Sequence, residues 1–369
     1  MPERGARSTT PGWQPISYSG HWTVVVSSIV TTVRTPKRIA ALLLTLTIFA
    51  LILRRIPGPL LMAALRDADY VTFLALMIPN TLCYFCWDTL ILAVVIRWFH
   101  GRVRYIDLLP VRAASYVVGF FNTNAGRGAL AAYLSRQLGA PFLQLGSTVV
   151  FLVLTEYTHL VAWATVGIIG FGSKTNRDLL WVPPAVALFW LVFLLYTKGG
   201  RGRTTPLAAA VNRNLSEPRP SVYLVRWLAA PRDWSLLRTF RIAPLGRYVQ
   251  IVLLRAPMFF VSLLVHYVAA KTFGINIPFA EMLIFLPVIF MLAALPITVA
   301  HLGTTQAAWI FFFGAYAPEP RLLAFGLAAH FTFSATRALI GLIFLPRAYA
   351  DLAVRRATTP VEAASIGHG

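Results

Sequence analysis

Phe121-Asn122-Thr123-Asn124-Ala125-Gly126-Arg127-Gly128, and later Leu295-Pro296-Ile297-Thr298-Val299-Ala300-His301-Leu302-Gly303-Thr304-Thr305-Gln306, are short polar, glycine-containing breaks in otherwise apolar sequence. Backbone in hydrocarbon must satisfy its own hydrogen bonds, so irregular chain at membrane depth persists only where it is buried in protein or lines a wet cavity. A matched pair of such breaks in the two halves of a chain points to a transporter-like substrate site.

The rest of the chain fits that setting. Of 369 residues, 57% are hydrophobic and only 12% charged, where soluble domains carry about 25% charged residues. The composition implies an all-α polytopic membrane protein. Lys and Arg number 33 against 13 Asp and Glu, a net charge of +20. Such an excess suits anionic lipid head groups and loops retained in the cytoplasm. The basic residues flank apolar spans and no nucleic-acid motif is present, so nucleic acid is not expected as a partner. The first 38 residues are polar and basic, with no small-residue cleavage site after the first apolar run, so no signal peptide is read. Cys83 and Cys86 share one apolar span and cannot supply the four ligands of a structural zinc. No metal or cofactor is expected.

Apolar spans fall at 39–53, 70–97, 142–171, 179–197, 246–273 and 321–346, most near or above the roughly 20 residues that cross a bilayer. Two further apolar stretches, 107–136 and 279–314, are interrupted by the breaks. Each half of these is short for a crossing, which favours re-entrant hairpins over full spans. With both termini cytoplasmic, the inner loops hold Arg97, Arg102, Arg104 and Arg112, then the strongly basic 198–247 segment, then Arg347, Arg355 and Arg356. The opposite loops, 54–69, 172–178, 271–278 and 315–321, are short and less basic, although Arg54, Arg55 and Arg66 fall in the first. This bias supports the hairpin topology in the inner (cytoplasmic) membrane.

The hairpins then enter from opposite faces, which makes an inverted repeat of about six full spans and two hairpins. Asp107 precedes Gly128 by about as many positions as Glu281 precedes Gly303, and Pro110 and Pro287 each fall in the first hairpin helix. The expected organisation is an interfacial segment 1–38, a first membrane half 39–197, and a basic linker 198–245 with an interfacial helix near Val222–Leu237. A second half 246–347 and a flexible tail 348–369 follow.

Gly126-Arg127-Gly128-Ala129-Leu130-Ala131-Ala132-Tyr133-Leu134, Leu154-Thr155-Glu156-Tyr157-Thr158-His159-Leu160, the stretch Leu295 to Gln306, and Thr336-Arg337-Ala338-Leu339 occur in that order. Together they resemble the four marked elements of the flippase-like transmembrane domain shared with the lysylphosphatidylglycerol synthases, over about 70–350. The resemblance implies lipid translocation, by the transport half alone, with no aminoacyl-transfer domain following. The chain departs from that pattern. Thr123 or Asn124 stands where the family has proline, no acid lies near Gly126 or Gly128, and Ala300-His301 and Gln306 replace usual glycines and a glutamate. It resembles a divergent member.

An ionisable side chain within a span costs on the order of 2.5–3.5 kcal/mol, so each is a functional candidate. Arg127, Arg255 and Arg337 are expected to pair with Asp88 and Glu156 in a buried network, or to share those acids with a lipid phosphate. An internal salt-bridge lock is the alternative for the two acids. Arg127 lies in the first break, beside the positive end of a helix expected to start near Gly128. Thr304, Thr305 and Gln306 take the same position in the second, with His301 and Gly303. His159, His266 and His330 read as packing groups bonded to neighbours. The expected substrate-binding set is thus Asn124, Gly126, Arg127, Gly128, Glu156, Arg255, His301, Gly303, Thr304, Thr305, Gln306 and Arg337, with Asp88 as charge partner and no catalytic residue.

The function expected is a flippase for an anionic phospholipid or polyprenyl-phosphate-linked lipid, the head group lying nearer Gly126–Gly128 than Gly303. Arg127→Ala is expected to abolish translocation. A membrane-embedded lipid-modifying enzyme is the second class, but no hydrolase, zinc or prenyl-transferase motif is present. A non-transporting accessory subunit is the third. Homo-oligomerisation is left open.

Overall fold

The structure is a computed structural model that describes residues 54–121, 123–171, 180–198, 235–294 and 303–364, with a few positions between 47 and 52. Every regular element among them is helical. After α1 (Gly58–Arg66) comes α2 (Tyr70–Phe99), whose first turn is capped by Asp69 Oδ1 accepting from Thr72 N at 3.1 Å. The chain continues through α3 (Tyr105–Phe121), α4 (Thr123–Leu138), α5 (Phe142–Phe171) and α6 (Val182–Lys198). A 3-10 turn at Ser235–Leu237 leads into the short α7 (Arg238–Ile242), then α8 (Leu245–Lys271), α9 (Phe279–Ala294), α10 (Thr304–Phe313) and α11 (Glu319–Ala364).

Four of these, Tyr70–Phe99, Phe142–Phe171, Leu245–Lys271 and Glu319–Arg347, are long and apolar enough to cross a membrane. Val182–Lys198 is a shorter apolar helix. The expected span 39–53 lies mostly outside the described residues, as do the loop 172–178 and most of the basic linker with its interfacial helix. The last helix runs on past 347 to Ala364, through the stretch read from sequence as a flexible tail.

Two sets of four helices, α2 to α5 and α8 to α11, repeat one packing pattern. In each set the first helix meets the second, the second folds back on the third, and the third meets the fourth. The sets also interlock, since α11 packs on α3 just as α5 packs on α9, and α11 meets α2 as α5 meets α8. The two first helices run antiparallel. Asp69 N donates to Thr272 O at 3.0 Å, Ser262 Oγ to Asn80 Oδ1 at 3.1 Å and Trp87 Nε1 to Leu254 O at 2.8 Å, while Arg247 stacks on Trp98 at 4.4 Å.

In lipid, helices gain little from burying apolar surface against one another and associate through close packing, which favours small residues at contacts. Gly167 of α5 lies against Ile284 of α9, and Gly341 of α11 lies against Ala113 and Val117 of α3. The offset between these glycines is the one that separates Asp107 from Glu281. Between α3 and α4, Gly126 meets Gly119 backbone to backbone.

The apolar interior forms two main bodies. One gathers Phe73, Met77, Leu263, Trp309, Phe313 and Phe325; the other gathers Leu92, Ile96, Leu108, Leu130, Leu134 and Leu145. Along α2 they are separated by the stretch that holds Asn80, Tyr84 and Asp88. Several hydroxyls in these helices bond back to carbonyls one turn earlier, as Thr81 does to Met77 O and Thr155 to Phe151 O, which satisfies their donors in an apolar setting.

Candidate functional site

Asn80, Tyr84 and Asp88 are spaced four apart and therefore share one face of α2. Asp88 is 9% exposed, and its Oδ2 accepts from Arg112 Nε at 2.5 Å and from Tyr116 OH at 3.2 Å, with Arg112 Nη2 also against that same oxygen. Arg112 and Tyr116 are themselves one turn apart on α3. The Tyr116 ring also carries Arg337 of α11, whose Cζ stands 3.7 Å from the ring centroid and 5.2 Å from that of Phe333. Tyr84 OH donates to Glu156 Oε1 of α5 at 3.3 Å, and Glu156 Oε2 lies 4.0 Å from Arg255 Nη1 of α8. Arg255 Nη2 donates to Leu152 O at 3.1 Å.

Five helices thus bring three guanidiniums and two carboxylates together between the two apolar bodies. The Nε atoms of Arg255 and Arg337 are buried without a hydrogen-bond partner. A buried donor left unmet is costly, and an acceptor relieves it, an anionic one most strongly when the donor is a cation.

The sequence-expected Asp88, Glu156, Arg255 and Arg337 are all here. Arg127 is not. The helix expected near Gly128 starts at Thr123, so Arg127 sits a turn inside it and donates to Asn124 Oδ1 at 3.4 Å, and it makes no ion pair with either acid among the described residues. Gly126 is pressed against α3, whereas Gly128 has open space where a Cβ would stand. Arg112, read from sequence as a loop cation, instead lies in α3 paired to Asp88. That correction follows from the helix beginning at Tyr105, which turns Arg112 and Tyr116 to one face. Tyr84 and Tyr116 were also missed. Their only sequence signal is four-residue spacing to Asp88 and Arg112.

At the second break, Gly303 adopts φ +88°, a left-handed conformation that suits glycine. Its N–H donates to Gln306 Oε1 at 2.7 Å, while Gln306 Nε2 reaches Gly326 O at 3.5 Å. Gln306 is fully buried and ties the start of α10 to α11. Thr305 is buried beside it and Thr304 half-buried. His301, like Asn122, lies outside the described residues. His159 Nε2 accepts from Trp163 Nε1 at 3.0 Å and His266 Nδ1 bonds Ser262 O at 2.7 Å, the packing roles expected of them.

Two apolar clefts open elsewhere, one of about 600 Å³ along α6 and one of about 550 Å³ between α2 and α8 around Cys83, Cys86, Trp87 and Pro257. Among the described residues, no group of three His, Cys, Asp or Glu side chains could hold a metal ion. Comparison with protein-family models, with curated proteins and with solved structures finds no match.

Proposed function

We propose that this chain is an integral membrane transporter that moves a lipid with an anionic head group between leaflets of the cytoplasmic membrane. One observation carries the reading. Two antiparallel, interlocked helix sets enclose a cluster in which guanidiniums outnumber carboxylates. Opposed packing of like units around a central polar site suits alternating access by rocking one unit against the other.

In this reading α3–α4 and α9–α10 are re-entrant hairpins entering from opposite faces. Their helices of 17, 16, 16 and 10 residues are short of the roughly 20 needed to cross, as is the 17-residue α6, but among the described residues only these two pairs have one helix folding back on the next across a polar break. Spans at 39–53 and in α6 bring the full crossings to six, with both termini cytoplasmic. The hairpin tips, Asn124–Gly128 and Gly303–Gln306, would flank the route of the head group.

The test is a proteoliposome assay with head-group-labelled phosphatidylglycerol and a membrane-impermeant quencher. Protein-dependent loss of signal beyond the outer leaflet is expected, and a plateau at the outer-leaflet share would refute transport. Arg337→Gln is expected to slow translocation strongly. Loss with Arg127→Ala but not with Arg337→Gln would return the site to the first hairpin tip.

A further inference from the structure

The charges of the cluster are not balanced, and the imbalance has a place. Arg112 is paired to Asp88, and Arg255 faces Glu156. Arg337 is held by the rings of Tyr116 and Phe333, which attract a cation through their quadrupole without neutralising it. Among the described residues, three guanidiniums against two carboxylates leave one positive charge. The Nε of Arg337 stays buried without a partner, as does that of the 7%-exposed Arg255. The side chain of Glu156 is 33% exposed against 8% for its partner Arg255. Glu156 is therefore the more accessible member of that pair.

Resting on the lipid-transport reading above, we infer that the cluster takes a head group bearing a single phosphodiester charge, seated on Arg337 and Arg255, and discriminates against doubly charged phosphates. One phosphodiester neutralises the excess. A phosphate monoester or diphosphate leaves a surplus negative charge in a low-dielectric site, where it is strongly disfavoured. The phosphate shares Arg255 with Glu156, whose carboxylate sets the limit on incoming charge.

The experiment measures binding of short-chain phosphatidylglycerol and short-chain phosphatidic acid to the purified full chain at pH 8, where the monoester carries close to two charges. The wild type is expected to prefer phosphatidylglycerol by about tenfold or more, and Arg337→Gln to weaken that binding by about tenfold, the effect of one charge-assisted contact. Glu156→Gln raises the net charge of the cluster by one and is expected to shift preference towards phosphatidic acid. A structural role for Glu156 would not produce this reversal. If Arg337→Gln does not fold, Arg337→Lys keeps the charge but loses the fork, and a weaker loss is expected. Equal or tighter binding of phosphatidic acid by the wild type, or an unchanged preference in Glu156→Gln, overturns the inference. Translocation that persists without charge preference removes this inference alone, whereas charge-selective binding without translocation removes the transport reading and leaves the site.

Discussion

Alanine at Gly341 probes the contact that locks α11 to α3. Its Cβ would stand 2.7 Å from the Ala113 carbonyl oxygen, 2.5 Å from Val117 Cγ2 and 3.4 Å from Val117 N. The carbonyl belongs to a helix and cannot swing aside, and Val117 is β-branched with little freedom at χ1. Ordinary contact begins at 3.4 Å, so α11 has to retreat from α3. A gap of roughly 0.5–1 Å forfeits a quarter to a half of the attraction of each contact it opens, here those of Ile340 and Phe344 with Phe85, Ala113 and Tyr116. Overpacking of this kind costs about 1–3 kcal/mol, offset by up to about 1 kcal/mol from the better helix propensity of alanine. A net loss of about 1–2 kcal/mol remains, a five- to thirtyfold fall in the folded-to-unfolded ratio. Equilibrium unfolding in mixed micelles measures it. Gly170→Ala is the control, because nothing lies within 4 Å of its Cβ position, and it is expected to be neutral or slightly stabilising. If Gly341→Ala behaves like Gly170→Ala, the close crossing is refuted. Arg337 lies one turn before Gly341, so the variant is also expected to disturb its seat on Tyr116.

Asp88→Asn leaves Arg112 and Arg337 facing one carboxylate fewer and is expected to cost about 3–5 kcal/mol; adding Arg112→Gln should recover part of that loss in a double-mutant cycle, and strict additivity would sink the pairing. Gln306→Leu strips the Gly303 N–H and the Gly326 carbonyl of a partner and is expected to destabilise by about 1–3 kcal/mol, read from the same unfolding curves. His100, bonded to Thr148 at 2.7 Å just beyond the end of α2, has its pKa lowered by burial and by the charge of Arg238. It is held neutral in the folded chain and takes a proton more readily when unfolded, so stability is full above about pH 6.5 and falls as the pH drops below it. His100→Gln should flatten that slope between pH 7.5 and 5.5, and an equal slope in both proteins would remove His100 as its source.

The long helices are legible because a membrane span is a composition as much as a pattern. Tyr70–Phe99, Phe142–Phe171 and Leu245–Lys271 agree with the sequence reading within a few residues. Asp88, Glu156, Arg255 and Arg337 are legible for the complementary reason, since a charge within an apolar span needs a partner. Arg112 is hidden by its setting: it follows Arg97, Arg102 and Arg104 closely enough to read as one more loop cation, and only the start of α3 separates it from them. The glycines of the first break mislead in another way. Gly126 reads as a loosened backbone, yet it lies within α4, at a point where only hydrogen fits against Gly119. Sequence shows that a side chain is missing there without showing what fills the space.

The crossed seating of the two units has a consequence for how the charged centre is completed. Gly167 on α5 waits for α9, and α3 receives its partner only when α11 arrives with Gly341. The α2 to α5 portion by itself carries both Asp88 and Arg112 but lacks the Arg337 that rests on Tyr116. The charged centre is therefore complete only once α11 has brought Arg337 to Tyr116.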